Sequence, residues 1–210
     1  MATKNEKVGF IKNNLFYINH LNCDRKEDVE AIKNFYIENK TGYGLQRYLQ
    51  EYACVDESES NMRTYIVRYM KTDECVGYFS LKAGLISLNE TKSEIFDGET
   101  GREKKLREFD TVPGVELANF AVNSSFVSKY PYIKGIGQVI FVNFIIPVIR
   151  EAALHVGIKV IYIFALPYDS LINAYKRYGF RRLSITAEKD LHNRLKPRYD
   201  ESCKFMYQML

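Results

Sequence analysis

The stretch that decides the fold runs from Val115 to Phe180. It opens with Val115-Glu116-Leu117-Ala118-Asn119-Phe120-Ala121-Val122, crosses a polar loop containing Tyr130 and Tyr132, and reaches Lys134-Gly135-Ile136-Gly137-Gln138. A long apolar segment then extends to His155, and Lys159 to Ala165 forms a second apolar run. The stretch ends in Tyr168-Asp169-Ser170-Leu171-Ile172-Asn173-Ala174-Tyr175-Lys176-Arg177-Tyr178-Gly179-Phe180. Short apolar runs bounded by turn residues read as strands, and longer segments with helical periodicity read as helices. The order is strand, glycine loop, helix, strand, helix.

The glycine loop carries the first chemistry. Two glycines flanking Ile136 allow positive φ and let backbone approach a ligand with no Cβ in the way. A helix starting at the second of them, Gly137, would turn its unpaired N–H groups back into the loop. With the helix dipole, those groups form an anion site suited to phosphate, and Lys134 adds a full charge beside it. A Gly-x-Gly pair alone is usually an ordinary turn; the strand before it and the helix after it sharpen the signal. A dinucleotide fingerprint is excluded, because no third glycine follows at the required spacing and no acidic residue ends the run Ile161-Tyr162-Ile163-Phe164-Ala165. A P-loop is excluded too, since its spacing and terminal hydroxyl are missing.

This unit resembles the cofactor half of the GNAT superfamily, the acetyl-CoA-dependent N-acetyltransferases. The resemblance is carried by Glu116 to Val122, by Gly135-Ile136-Gly137, by Ile161 to Leu166, and by Ala174 to Phe180, which matches the family's Tyr-x-x-x-Gly-Phe ending. The family's loop usually reads Arg/Gln-x-x-Gly-x-Gly/Ala. Tyr132 stands at the Arg/Gln position here, the loop is several residues longer, and Lys134 or Lys129 is the candidate for the missing charge. The resemblance implies a single mixed α/β domain over residues 1–210. It implies a mostly antiparallel sheet of six or seven strands, a splayed parallel central pair and about four flanking helices. Acetyl-CoA is the implied cosubstrate, with no metal, and homodimers are common in the superfamily.

Acetyl transfer from a thioester to an amine needs a neutral amine and a proton for the departing thiolate. The resemblance implies Glu116, six residues before Val122, as general base acting through a water. The structural alternative is a strand carboxylate paired with a nearby Lys or Arg. Tyr175 is the implied general acid, and a core aromatic on the last helix is its alternative. A phenol suits the task, since its ordinary pKa of about 10 lies near that of an alkyl thiol. In the family the strand before the glycine loop parts from its neighbour and offers backbone groups to the pantetheine arm. Phe120, Ala121 and Val122 would do so here, and the ligand would satisfy groups otherwise costly to leave unpaired. Lys134, Gly135, Ile136, Gly137 and Gln138 would hold the pyrophosphate, while Leu166 and Tyr168 would line the other side.

Composition sets the bounds. A chain of 210 residues with 46% hydrophobic and 27% charged residues fits one sizeable soluble core. Cys23, Cys54, Cys75 and Cys203 show no paired spacing and read as reduced thiols in a cytoplasmic protein. Three scattered histidines argue against a metal site. The polar Met1–Lys7 lacks the apolar core of a signal peptide. The run Val139 to Ile149 is short for a bilayer and is interrupted by Asn143 and Pro147, so it reads as a core helix, kinked or broken at Pro147, and not as a membrane anchor.

Elsewhere, Leu15 to Ile18 suggests a first strand, and Asp24 an N-cap for a helix whose apolar stripe is Val29, Ile32, Phe35, Tyr36 and Ile37. Leu45, Tyr48, Leu49 and Tyr52 make a second stripe. Asp56 to Asn61 reads as an acidic loop, and Met62–Met70 with Cys75–Leu88 as a hairpin. Residues 89–111 read as a charged surface insertion, helical or mobile around Arg102 to Phe109. Arg181 to Glu188 reads as a strand, followed by a basic loop and a last strand from Ser202.

The acceptor is a small-molecule or peptide primary amine on the plainest reading. From Lys176 to Arg198 eight Lys/Arg face Glu188 and Asp190, a net of 8 − 2 = +6, which leaves 4 − 6 = −2 for the rest. Such a stretch is either a solvated face or a contact for tRNA. Some GNAT-type toxins acetylate aminoacyl-tRNA, and the chain is similar to them from Ala165 to Phe180. A non-catalytic acyl-CoA-binding module is the alternative of a different class.

Overall fold

The structure is a computed structural model that describes residues 14–96, 103–194 and 202–210. The expectations for Met1–Lys7, for residues 97–102 of the 89–111 insertion, and for the basic loop at Lys196 and Arg198 fall outside the described residues. The chain forms two compact units, Met1–Lys82 with Leu117–Val156 and Ala83–Glu116 with Gly157–Leu210.

The first unit begins with β1 (Phe16–His20) and α1 (Lys26–Lys33). Helix α2 (Tyr43–Arg47) passes through a π segment, Tyr48–Tyr52, into α3 (Ala53–Ser58). Strand β2 (Arg63–Tyr69) and the first part of β3 (Cys75–Phe96) follow, then the last part of β4 (Glu103–Val122) and α4 (Ser124–Lys129). The unit ends in α5 (Ile136–Ile140), a π segment at Phe141–Ile145, and α6 (Ile146–Ala153). The second unit holds the remainder of β3 and β4, then β5 (Val160–Ala165), α7 (Asp169–Arg177), β6 (Arg181–Arg182), α8 (Ile185–Arg194) and β7 (Lys204–Met209). The strands make one hydrogen-bonded order, β1-β2-β3-β4-β5-β7-β6. Pairs β1–β2, β2–β3, β5–β7 and β6–β7 are antiparallel, and β4–β5 is parallel. This is the mixed α/β class expected, with six continuous helical stretches of four residues or more among the described residues, not about four.

Leu21, Ile32, Phe35, Ile37, Leu49, Ile66, Tyr78 and Ala121 make a buried core in the first unit. Most of both predicted stripes enter it, while Tyr36 and Tyr52 stay 44% and 47% exposed. Gly77 is required where β3 crosses the end of β4, because a Cβ there would lie 2.6 Å from the Ala121 carbonyl oxygen. The second unit packs Val160, Tyr162, Phe164, Leu191 and Phe205 together. The six residues of β5 are all buried, as expected of an apolar run without alternation.

Several expectations are corrected. Arg25 caps α1 in place of Asp24, and Asp28 is drawn inside. There the Asp28 carboxylate accepts from Arg68 at 2.6 Å, from Arg25 at 2.6 Å and from the Asn22 amide at 2.9 Å. A buried carboxylate so enclosed by donors is satisfied in a way no local pattern announces. Asp56 lies inside α3 and is buried, not in a loop. The 89–111 insertion is not helical in its described residues, because β3 runs out to Phe96 and β4 back from Glu103. Arg181 to Glu188 is mostly not a strand: β6 ends at Arg182 and α8 begins at Ile185. Glu188 points inward, accepting from the Phe205 amide at 2.9 Å and from Arg182 at 2.7 Å. Cys23 and Cys54 are joined in a disulfide, so the expectation of four reduced thiols fails; Cys75 and Cys203 are buried free thiols. Packing of the β1–α1 loop against α3 brings together two cysteines 31 residues apart, and spacing alone could not reveal that.

The helix after the glycine loop is continuous over 18 residues, longer than the apolar run inside it and long and apolar enough to cross a membrane by length and composition. Ile140, Phe141, Phe144, Ile145 and Ile149 form one buried stripe, and Gln138, Arg150 and Glu151 are exposed. That is the pattern of a core helix. The helix does not break at Pro147; its winding departs from α in the π segment Phe141–Ile145, which ends two residues before the proline. Proline cannot donate to the Asn143 carbonyl, and the wider i→i+5 winding spreads that loss over the preceding turn.

Candidate functional site

The first unit brings together the glycine loop and the end of β4. Gly135 takes φ 69°, ψ 21° as the N-cap of α5, so the helix starts at Ile136, one residue earlier than expected. No side chain caps it, which leaves the first-turn amides of Ile136, Gly137 and Gln138 directed out of the helix end. A Cβ on Gly135 would meet nothing within 4 Å, and one on Gly137 would touch only the tip of the Phe120 ring at 3.9 Å. The loop is therefore open on its glycine side, with the ring of Phe120 beside Gly137. Lys134 is exposed next to it. Lys129, the other candidate for a loop charge, is occupied: it contacts Glu74 at 2.5 Å, and the Tyr130 hydroxyl donates to the same carboxylate at 2.7 Å. Those partners hold the Glu74 carboxyl down at about 2. Asn123 fixes the end of β4, its amide donating to the Cys75 carbonyl at 3.0 Å while its side-chain oxygen caps α4 at the Ser125 amide.

The second unit holds Glu116, Leu166, Tyr168 and Tyr175. The parallel ladder registers Gly114, Val115 and Glu116 with Val160, Ile161 and Tyr162 and stops there, although β4 runs on to Val122 and β5 to Ala165. Glu116 is half-buried, between the buried Val115 and Leu117. Leu166 is partly buried against the Phe164–Phe205 cluster. Tyr168 is 43% exposed, forms the N-cap of α7 and donates its amide to the Leu166 carbonyl at 2.8 Å.

The Tyr-x-x-x-Gly-Phe ending has a mechanical explanation. The Phe180 amide donates to the Tyr175 carbonyl and the Gly179 amide to the Lys176 carbonyl, both at 3.0 Å, and Gly179 takes φ +96°. This is a Schellman helix end, with the apolar contact that accompanies it: the Tyr175 and Phe180 rings meet edge to face at 5.5 Å. Tyr175 is thus a structural residue, 3% exposed, whatever else it does.

Tyr162, which the sequence did not single out, is 4% exposed, and burial first, then the charge of Glu116, push its phenol well above the usual range. Its ring takes the space left by Gly84 and Gly114 in neighbouring strands, where strand glycines mark close approach. No group of three His, Cys, Asp or Glu fit to hold a metal ion occurs among the described residues.

No protein-family model matches the chain, and no curated protein sequence matches it. Solved structures do. A tyrosine-to-phenylalanine mutant of KacT is similar with a TM-score of 0.62 and 17% identity, covering 93% of this chain and 95% of that one. AtaT complexed with acetyl-methionyl-tRNAfMet gives 0.57 and 19%, covering 90% and 93%. AtaTR bound with acetyl-CoA gives 0.57 and 18%, covering 92% and 93%. With its parallel β4–β5 pair, its glycine loop at a helix start and these neighbours, the chain has the fold of the GNAT superfamily.

Proposed function

We propose that the chain is an acetyl-CoA-dependent N-acetyltransferase of the toxin kind, acting on the amino group of aminoacyl-tRNA. The observation that carries this reading is the likeness, over nine-tenths of both chains, to AtaT solved with acetyl-methionyl-tRNAfMet. Two further features support it. The glycine loop offers unpaired amides at a helix start, an arrangement suited to a diphosphate. In the second unit Lys176, Arg177, Arg181 and Lys189 are exposed around the end of α7, β6 and α8, a basic surface for an acidic polymer.

In this reading the amides of Ile136, Gly137 and Gln138, with Lys134, bind the diphosphate. The backbone of Phe120, Ala121 and Val122 pairs with the pantetheine arm, and Leu166 and Tyr168 flank it. Glu116 takes a proton from the acceptor ammonium through a water, so that the free amine attacks the thioester carbonyl carbon. As the tetrahedral intermediate collapses, the C–S bond breaks, the new amide forms and Tyr175 donates its proton to the departing thiolate, while the extra proton left on the amide nitrogen passes through solvent to the Tyr175 phenolate and restores the phenol.

The test is incubation of the protein with acetyl-labelled acetyl-CoA and a pool of aminoacyl-tRNA, followed by mass spectrometry of the 3′-terminal aminoacyl-adenosines. Label on their α-amino groups, with free CoA released, is expected. Tyr175→Phe should lower the rate about 100-fold while acetyl-CoA binding, measured by calorimetry, holds. Label on small amines or peptides alone returns the acceptor to the general class. Binding without CoA release favours a non-catalytic acyl-CoA module, for which Tyr132 at the family's Arg/Gln position is the supporting observation.

A further inference from the structure

We infer that Glu74 is a positioning residue for the glycine loop: its carboxylate clamps the segment that leads into the loop and so sets where the amides of Ile136, Gly137 and Gln138 stand. The inference deepens the reading of those amides as the diphosphate site and rests on it for its kinetic consequence. Twelve residues, Asn123 to Lys134, separate the end of β4 from Gly135. All of them, with Glu74, belong to the first unit. Without ties, a stretch of that length would have to be ordered at each binding event, and the ordering would weaken binding.

The ties run to three consecutive residues, Glu74, Cys75 and Val76. At the near end the Asn123 backbone amide donates to the Val76 carbonyl at 2.8 Å, and its side-chain amide donates to the Cys75 carbonyl at 3.0 Å. At the far end of α4 both oxygens of the Glu74 carboxylate are used. Lys129 Nζ donates to Oε1, and the Tyr130 hydroxyl donates to Oε2 at 2.7 Å. The Thr72 hydroxyl also donates to Oε2, at 2.6 Å, and holds the carboxylate from the β2–β3 turn. The Tyr130 ring packs on Phe126 and Tyr69, with centroids 4.7 and 5.2 Å away. From Tyr130 the path to the helix start is short. Tyr130-Pro131-Tyr132-Ile133 is a turn closed by the Ile133 amide on the Tyr130 carbonyl at 3.0 Å, with a proline where it presets φ. Only Lys134 lies between that turn and Gly135, the N-cap of α5. The donors around Glu74 hold its carboxyl at about 2, so the clamp is charged at neutral pH.

The test compares the wild type, Glu74→Ala, Tyr130→Phe and the double variant by acetyl-CoA calorimetry, by CoA-release kinetics and by backbone hydrogen exchange without ligand. In Glu74→Ala the Kd and KM for acetyl-CoA should rise about three- to fivefold. At saturating acetyl-CoA kcat should hold, and exchange at Lys134 to Gln138 should quicken. Loss of folded protein alone would lower the active fraction and leave KM where it was. Tyr130→Phe should raise KM in the same direction. Added to Glu74→Ala it should raise KM no further, because both variants break one contact. A folded Glu74→Ala protein with unchanged KM for acetyl-CoA overturns the inference, and so does a double variant in which the two effects add. If Glu74→Ala does not fold, Tyr130→Phe decides by the same readouts. A wild type that binds no acetyl-CoA would count against the diphosphate reading, and the exchange rates at Lys134 to Gln138 would then decide the clamp by themselves.

Discussion

At the scale of single residues, the same chemical group does different work according to its enclosure. Asp28, Asp56 and Glu188 are acids drawn inside by specific partners or by helix packing, whereas Glu74 sits at the rim with its side chain 35% exposed. Contacts from Lys129, then Thr72 and Tyr130, lower the Glu74 carboxyl to about 2. A carboxyl whose folded pKa lies below its unfolded value contributes stability above the unfolded value and loses it as pH falls through the folded one. The contribution of Glu74 should therefore be complete above about pH 4.5 and vanish toward pH 2. Solvent screening holds it to about 1 kcal/mol or less. Urea denaturation of wild type and Glu74→Gln should differ at pH 6 in low salt, and the two curves should converge at pH 2.5 and in high salt.

At the scale of elements, two local devices invite direct tests. The helix end at Tyr175 to Phe180 needs a residue that tolerates φ +96°, and a Cβ on Gly179 would approach the Gln208 Nε2 at 2.9 Å. Gly179→Ala should cost about 1–2 kcal/mol from the backbone conformation alone, measurable as a lowered Tm. The glycine loop makes the contrasting case: Gly135 also has positive φ but open space around it. Cys23–Cys54 closes a span of 31 residues around α1, α2 and the π segment. In the chain-entropy account such a closure stabilises by about 3.7 kcal/mol. Cys54→Ser should lower the unfolding free energy by about that amount, and the wild type in strong reductant should match the variant. A wild type indifferent to reductant would mean the bond adds nothing.

At the scale of the whole molecule, charge is unevenly placed along the chain. The net +4 arises from +6 over residues 176–198 and −2 over the remainder. Each phosphate contact on a single strand contributes about −0.7 to the slope of log K against log salt, and on a duplex about −0.9. Replacing Arg177, Arg181 and Lys189 together by Ala should flatten the slope for aminoacyl-tRNA by about 2 to 3 if all three meet phosphates. Filter-binding titrations from 50 to 250 mM salt would measure it. An unchanged slope would assign this surface to solvation and turn the search for the acceptor toward small amines.

The sequence by itself determined the strand–loop–helix–strand–helix order from Val115 to Phe180, because apolar periodicity, Gly-x-Gly and Tyr-x-x-x-Gly-Phe are local signals with local mechanical causes. Only the tertiary structure decided that Cys23 meets Cys54, that Asp28 is enclosed by Arg68 and Arg25, that Lys129 is taken by Glu74, and that the Tyr162 ring lies over Gly114 and Gly84. Apart from Arg25 with Asp28, each of those contacts joins residues far apart in the chain. Such a contact is set by register and packing between elements, and those are properties no window of neighbouring residues contains.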